Sequence, residues 1–364
     1  MTKRTLGISL YPDHSVFERD QAYLKVAASY GFTRLFVSML EVQDGKERVT
    51  EKYQRIIQSA HQLGFTTTLD VSPNIFDQLG VSYQDLSYFA SLGADAIRLD
   101  AGFDGHQEAW LSYNSQGLNL ELNMSNDVEY LSNILSYSAN RPFLYGCHNF
   151  YPQRGTGLPF DFFVACSRRF KRAGIETAAF VTAPGATIGP WDINDGLPTL
   201  EMHRDWPLQV QVQHLFSTGL IDSVLIGNAY AKPEDLQKLG ALNRYQITFA
   251  VTLSADIQPV ERQILLDNLH ERRGDINDIT IRSTEVRKRY HDFNRVNDDR
   301  HTFQRGDVVI GNEQFGKYQH ELQIVQQPHT DTRKNLVATI NPDQLVLLDA
   351  IGPWAKFSFE VAHD

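Results

Sequence analysis

The sequence predicts an α/β protein: a (β/α)8 TIM barrel followed by a smaller β-rich domain. Three observations predict it. Eight short apolar runs alternate with amphipathic helical stretches up to residue 241. Five helix-to-strand junctions carry glycine, at Gly31, Gly64, Gly93, Gly174 and Gly219. Glycine takes the left-handed residue after a helix because it has no Cβ to clash. From about residue 243 the pattern changes to short alternating strands and turns.

The barrel strands are expected at 5–10, 34–38, 66–70, 96–100, 118–123, 142–149, 176–182 and 223–228. Their near-continuous apolar character suits strands covered on both faces. The helix before the sixth strand is expected to end at Asn140, which tolerates the left-handed cap, with Pro142 after it. The last barrel helix starts at Pro233, Glu234 and Asp235, where proline and acids suit a first turn, and ends at Gly240. No strand runs into a G-x-G-x-x-G turn, so a dinucleotide fold has no support. The domains are placed at 1–241 and 242–364. In the second, a strand is expected over 245–254, then a helix over 259–271. Further strands follow at 278–282, 307–310, 320–326, 345–348 and 356–361.

Composition narrows the function. Of 364 residues, 42% are hydrophobic and 21% charged, with a net charge of −10, so a folded protein is expected nearly throughout. The acidic balance argues against nucleic acid and an anionic membrane as partners. It does not exclude a phosphorylated ligand, which needs only a local pocket of donors. The N-terminus enters a strand after Lys3 and Arg4, without the features of a signal peptide, and no apolar run reaches membrane-spanning length. A cytoplasmic location is therefore expected. Cys147 and Cys166 then read as a reduced pair. Cys147 and His148 are strand neighbours pointing to opposite faces, which argues against a thiolate–imidazole pair.

A barrel of this class carries its site at the C-terminal strand ends. That rule selects Tyr11, Glu41, Asp70, Arg98, Asp100, Glu121, Asn123, His148, Asn149 and Asn228. Asp70 and Asp100 end neighbouring strands about 4.8 Å apart, so their carboxyls are expected within roughly 5–7 Å. Glycoside hydrolysis uses two such carboxyls. Asp70, Asp100 and Glu121 are the candidate catalytic acids. The plain alternative is that either Asp caps a helix or pairs with Arg98. The loop from His148 through Tyr151 to Leu158 holds Arg154, Gly155, Thr156 and Gly157, an expected anion cradle beside hydrogen-bonding groups for sugar hydroxyls. A second dense stretch carries Glu201, His203 and Arg204, with Thr199 expected to cap a helix there. Glu201 and His203 lack the spacing of a helical metal site, so no metal and no cofactor is expected. Tyr11, Phe103, Phe150, Tyr151 and Trp191 offer rings for sugar faces.

Together, Asp70-Val-Ser-Pro73, Arg98-Leu-Asp-Ala-Gly-Phe103, Leu120-Glu-Leu-Asn123, His148-Asn-Phe-Tyr-Pro152 with Thr156-Gly-Leu158, and Gly196-Leu-Pro-Thr-Leu-Glu201 with His203-Arg204 resemble the signatures of the 6-phospho-N-acetylmuramidases. The segment from Gly306-Asp-Val-Val-Ile-Gly-Asn312 to Glu321-Leu-Gln-Ile324 resembles that family's cyclophilin-like domain. The resemblance covers essentially the whole chain. It implies a cytoplasmic glycosidase of peptidoglycan recycling, cleaving the β-1,4 bond of N-acetylmuramic acid 6-phosphate–N-acetylglucosamine. Tyr11, Glu41, Arg98, Asn123, His148, Asn149, Tyr151, Arg154, Thr156, Glu201, His203, Arg204 and Asn228 form the expected substrate-holding set. A retaining, inverting or substrate-assisted course stays open, as does homodimer formation. One rival is another barrel enzyme on sugar phosphates, such as an isomerase or aldolase; no Lys sits at a strand end to form a Schiff base. The other is a non-catalytic glycan-binding protein.

Overall fold

Eight parallel strands close into a barrel: β1 Thr5–Leu10, β2 Arg34–Ser38, β3 Thr66–Val71, β4 Ala96–Leu99, β5 Asn119–Asn123, β6 Leu144–Cys147, β7 Glu176–Val181 and β8 Ser223–Ile226. The computed structural model describes residues 3–82, 85–126, 128–297 and 302–362. The chain divides into two units, Met1–Leu242 and Asn243–Asp364. All five expected junction glycines have positive φ, between 67° and 92°. Asn140 does not. Ser138 takes the left-handed residue (φ 58°), and Asn140 instead leads a 3-10 turn over Arg141–Phe143, which delays β6.

Residues paired across neighbouring strands face the same way. Ser38 pairs with Asp70, Asp70 with Arg98, Arg98 with Glu121, Glu121 with Tyr145 and Tyr145 with Glu176. Because barrel strands tilt, this row descends from the end of β2 to the start of β7. Asp70 therefore lies near the rim, Glu121 deeper, and Tyr145 and Glu176 beside a cavity at the floor. Inside, Phe36, Cys147, Ala178, Phe180 and Leu225 form a buried plug. The interior is thus a packed core, and only its upper end is available for chemistry.

The second unit is mostly strand: β9 Ile247–Leu253, β10 His270–Glu271, β11 Thr280–Ser283, β12 Thr302–Phe303, β13 Asp307–Gly311, β14 Leu322–Val325, β15 His329–Thr330, β16 Lys334–Ile340 and β17 Lys356–Val361. Seven of these form one sheet in the order β10-β17-β9-β16-β13-β14-β11, and β12 pairs with β15. The outer strands approach, since Arg273 N–H donates to Arg282 O at 3.0 Å. Three expectations are corrected. The helix ends at Leu266, not 271, because His270 joins β10. The strand expected at 345–348 lies in a 3-10 helix, Pro342–Ala350. β16 was not expected: it lies between β13 and β9 and is buried on both faces, so its sequence shows no alternation.

Candidate active site at the barrel rim

Arg98 organises the β3–β4 side of the rim. It faces inward from β4, almost wholly buried, and its Nη1 donates to Asp70 Oδ1 at 2.6 Å and to Asp100 Oδ1 at 3.1 Å. Two acceptors of one nitrogen can stand no further apart than both bonds laid end to end, 5.7 Å. The two carboxyls therefore meet as expected, and the Arg98 pairing also occurs. Arg98 Nη2 donates to Asn149 Oδ1, two residues past β6. Glu121 lies below: its Oε1 is 3.9 Å from Arg98 Nε, and Arg34 Nη2 donates to its Oε2 at 2.7 Å. Arg98 Nε has no hydrogen-bond partner among the described residues.

The three acids are not equivalent. The Asp100 side chain is 40% exposed, Asp70 1% and Glu121 2%. Burial pushes the Asp70 carboxyl up to about 7, against the pull of Arg98 and with the Asp100 charge adding to the rise. Such a group holds its proton part of the time at neutral pH, which suits an acid–base site. Asn123 is fixed beside them: its Oδ1 accepts from Ser125 N–H at 2.9 Å.

A second polar pair crosses from β1 to β2. His14, in the loop after β1, pairs with Glu41 beyond β2, and its Nε2 lies 3.1 Å from Pro190 O. Both side chains are partly open. They border a cleft of about 10 Å³ shared with Tyr11, Asp13 and Ser38, room for one water. Asp13 in turn accepts from Lys52 Nζ at 2.7 Å and Tyr53 Oη at 3.0 Å. Sequence reasoning selected Glu41 but missed His14, which the same strand-end rule reaches. Arg34 it also missed: it opens β2 at the floor end, where the rule does not look. Phe150 packs edge-on against Phe36 and Phe180 over the plug, with Trp191 6.3 Å from it and partly exposed.

The expected anion cradle is occupied by the protein itself. Gly155 N–H donates to Glu201 Oε1 at 2.9 Å, and Gly157 N–H to Oε2 at 2.8 Å. Arg204 closes on the same carboxylate, Nε to Oε1 at 2.7 Å and Nη2 to Oε2 at 2.6 Å. This pairing and the two N–H bonds hold the Glu201 carboxyl down at about 2. Gly157 is required: a Cβ there would lie 2.7 Å from Glu201 N. Arg204 Nη1 also serves the carbonyls of Tyr151, Asp195 and Gly196. Arg154 turns outward into a bidentate pair with Asp205, and Thr156 Oγ1 donates to Gln153 O at 2.6 Å. Glu201 and Arg204 thus hold two loops together rather than facing an open cavity, and Thr156 is turned back onto its own loop.

Other expected ligand groups are built into the core. His148 is fully buried, between Ser125 and Ser167, with its ring 4.6 Å from Phe163; burial lowers it to about 3, so it stays neutral. His203 is fully buried against His214 and Trp206. Asn228 is buried, accepting from Ala183 N–H and donating to the carbonyls of Ala183 and Ala186. Tyr11 is buried and donates to Gly227 O. Tyr151 is half-buried, its N–H on Pro198 O. Thr199 caps no helix: it bonds Asn149 O and Phe180 N–H, and Glu201–His203 is a 3-10 turn. Tyr11, His148, Thr199, His203 and Asn228 are therefore buried away from solvent, whereas Tyr151 stays partly open. Neither Cys147 nor Cys166 forms a disulfide. No cluster of metal-ligating side chains occurs among the described residues, and no described helix is long and apolar enough to cross a membrane.

Fold and rim together define a two-domain (β/α)8-barrel protein with a carboxylate–arginine cluster at the C-terminal strand ends. The chain belongs to the 6-phospho-N-acetylmuramidase family: the family's N-terminal model matches residues 6–241 and its C-terminal model residues 247–360. Among solved structures it is similar to an uncharacterized B. cereus protein, with 51% identity over 98% of this chain and 99% of that one, and a TM-score of 0.90. A conserved Enterococcus faecalis protein of unknown function shares the fold at 23% identity, covering 98% and 96%, with a TM-score of 0.72. None of the curated proteins compared with it matches.

Proposed function

We propose that the chain is a cytoplasmic glycosidase that hydrolyses the β-1,4 bond of N-acetylmuramic acid 6-phosphate–N-acetylglucosamine during cell-wall recycling. One observation carries the reading: two acids from adjacent strands share one buried guanidinium, with only Asp100 open at the rim. Family membership supports the same reaction class.

Asp100 is the carboxyl that we place at the reacting centre. Asp70 is sealed behind Arg98, so it acts as a positioning residue. Its protonation changes how much of the guanidinium's charge Asp100 shares. A two-carboxyl pathway needs both acids at the sugar, one on each side of the scissile bond. With Asp70 and Glu121 covered, the acetamido oxygen of the substrate is the better nucleophile, and Asp100 orients that group. Glu41, held by His14, is another partly open acid at the strand ends and the candidate proton donor. Trp191 and Phe150 offer rings to a sugar face.

Incubation with the 6-phosphorylated disaccharide and its unphosphorylated twin, followed by mass spectrometry, tests this. The expected products are N-acetylglucosamine and N-acetylmuramic acid 6-phosphate, from the phosphorylated substrate preferentially. Binding of either sugar without turnover would contradict the proposal and favour a glycan-binding protein.

A further inference from the structure

The rim leaves the phosphate without an obvious counter-charge, since the expected cradle is filled by Glu201. A cationic cavity exists elsewhere, within the second unit. It measures about 340 Å³ and is bordered by Arg287, Lys288, Tyr290, His291, Lys317 and His320. None of its bordering side chains is a carboxylate, although the chain carries a net charge of −10 and Asp292 acts on His320 from close by. Two arginines, Arg282 and Arg287, share the single buried carboxylate of Glu321, which leaves positive charge over. Lys317 is exposed and makes no ion pair among the described residues. Lys288 pairs only with Glu285, and both are mostly in solvent, where such pairs are weak.

His320 supplies an independent sign. It is 4% exposed, with the Tyr290 and Asp292 backbone close to its ring, yet its Nε2 makes no hydrogen bond of good geometry among the described residues. Its φ is +65°, a left-handed conformation that a non-glycine residue adopts only at an energetic cost. A buried polar atom without a partner and a strained backbone occur together at functional sites. Tyr290 Oη accepts from Asn268 Nδ2, so its own proton is free to be given.

We propose that this cavity binds a phosphomonoester on a sugar-sized scaffold. A phosphate brings nearly two negative charges and three acceptor oxygens, which match ammonium, guanidinium, phenol and imidazole donors. The volume suits a hexose phosphate. The phosphate is that of a molecule separate from the substrate of the barrel.

The test is calorimetric titration of the full chain with glucose 6-phosphate, with glucose as the uncharged control, on wild type and Lys317→Ala. Lys317 is a surface side chain, and an unchanged melting temperature verifies the fold. The wild type is expected to bind glucose 6-phosphate and not glucose, and Lys317→Ala to bind it about tenfold more weakly. KM and kcat for the 6-phosphorylated disaccharide are expected to be unchanged in Lys317→Ala; a raised KM would overturn the assignment to a separate ligand. No binding to wild type, or equal binding by both proteins, overturns the proposal. Because the titration needs no turnover, it decides this site even if the glycosidase reading fails.

Discussion

On the β3–β4 side of the rim, one arginine serves acceptors on Asp70, Asp100 and Asn149 and leaves Asp100 open to solvent. On the β6–β7 side, one carboxylate, Glu201, takes four donors, and the arginine beside it is consumed by carbonyls. Both sides contain the same residue types at the same end of the barrel. What separates a candidate reactive site from a structural clamp is whether the protein has already satisfied its own polar groups. A saturated cluster stiffens loops; an unsaturated one is available to a ligand.

Substitutions break or sharpen that contrast. Arg98→Met has the largest expected effect. It leaves Asp70, Asp100 and Glu121 with Arg34 as their one remaining cation in the cluster, and breaking a buried pair costs about 3–5 kcal/mol. Denaturant unfolding should show that loss, and wild-type stability would remove Arg98 from its central place. Glu201→Gln comes next. Losing charge-assisted bonds to Gly155, Gly157 and Arg204 should cost about 1.5–3 kcal/mol, with activity retained once the protein is folded at lower temperature. Complete loss of turnover in a folded Glu201→Gln would move the reactive site to the clamp.

Asp70 gives a pH signature. Its folded value of about 7 lies above its ordinary value of 3.8, so the folded state binds the proton more tightly than the unfolded chain. Its contribution to stability is full below pH 3.8 and is lost as pH rises toward 7. Asp70→Asn should flatten that fall in melting temperature; an unaltered slope would show that Asp70 titrates normally. The smallest effect is expected at Arg154→Ala. Its pair with Asp205 is exposed and screened by solvent, and KM for the phosphorylated disaccharide should change by less than about twofold. A tenfold rise in KM would restore Arg154 to a phosphate grip.

The barrel was legible because its signals are local: glycine at five helix ends, and apolar runs that start where expected for β1, β2 and β3. The meeting of Asp70 with Asp100 followed from strand adjacency alone. The fate of Glu201 did not. It reaches back 44 residues to Gly157, and no short pattern announces that an anion-binding loop will be filled from within. Burial of His148 was hidden for a similar reason, since its partners Ser125 and Ser167 come from other elements. In the second unit, β16 is buried between two neighbours and lacks the alternation that marks a half-exposed strand.

Turnover of the 6-phosphorylated disaccharide by Asp100→Asn, under single-turnover conditions and with melting temperature monitored, bears most directly on the carboxylate left open beside Arg98. The account predicts a folded protein that still binds substrate, with cleavage slowed by roughly a thousandfold or more. A folded Asp100→Asn protein that cleaves at near the wild-type rate would contradict it.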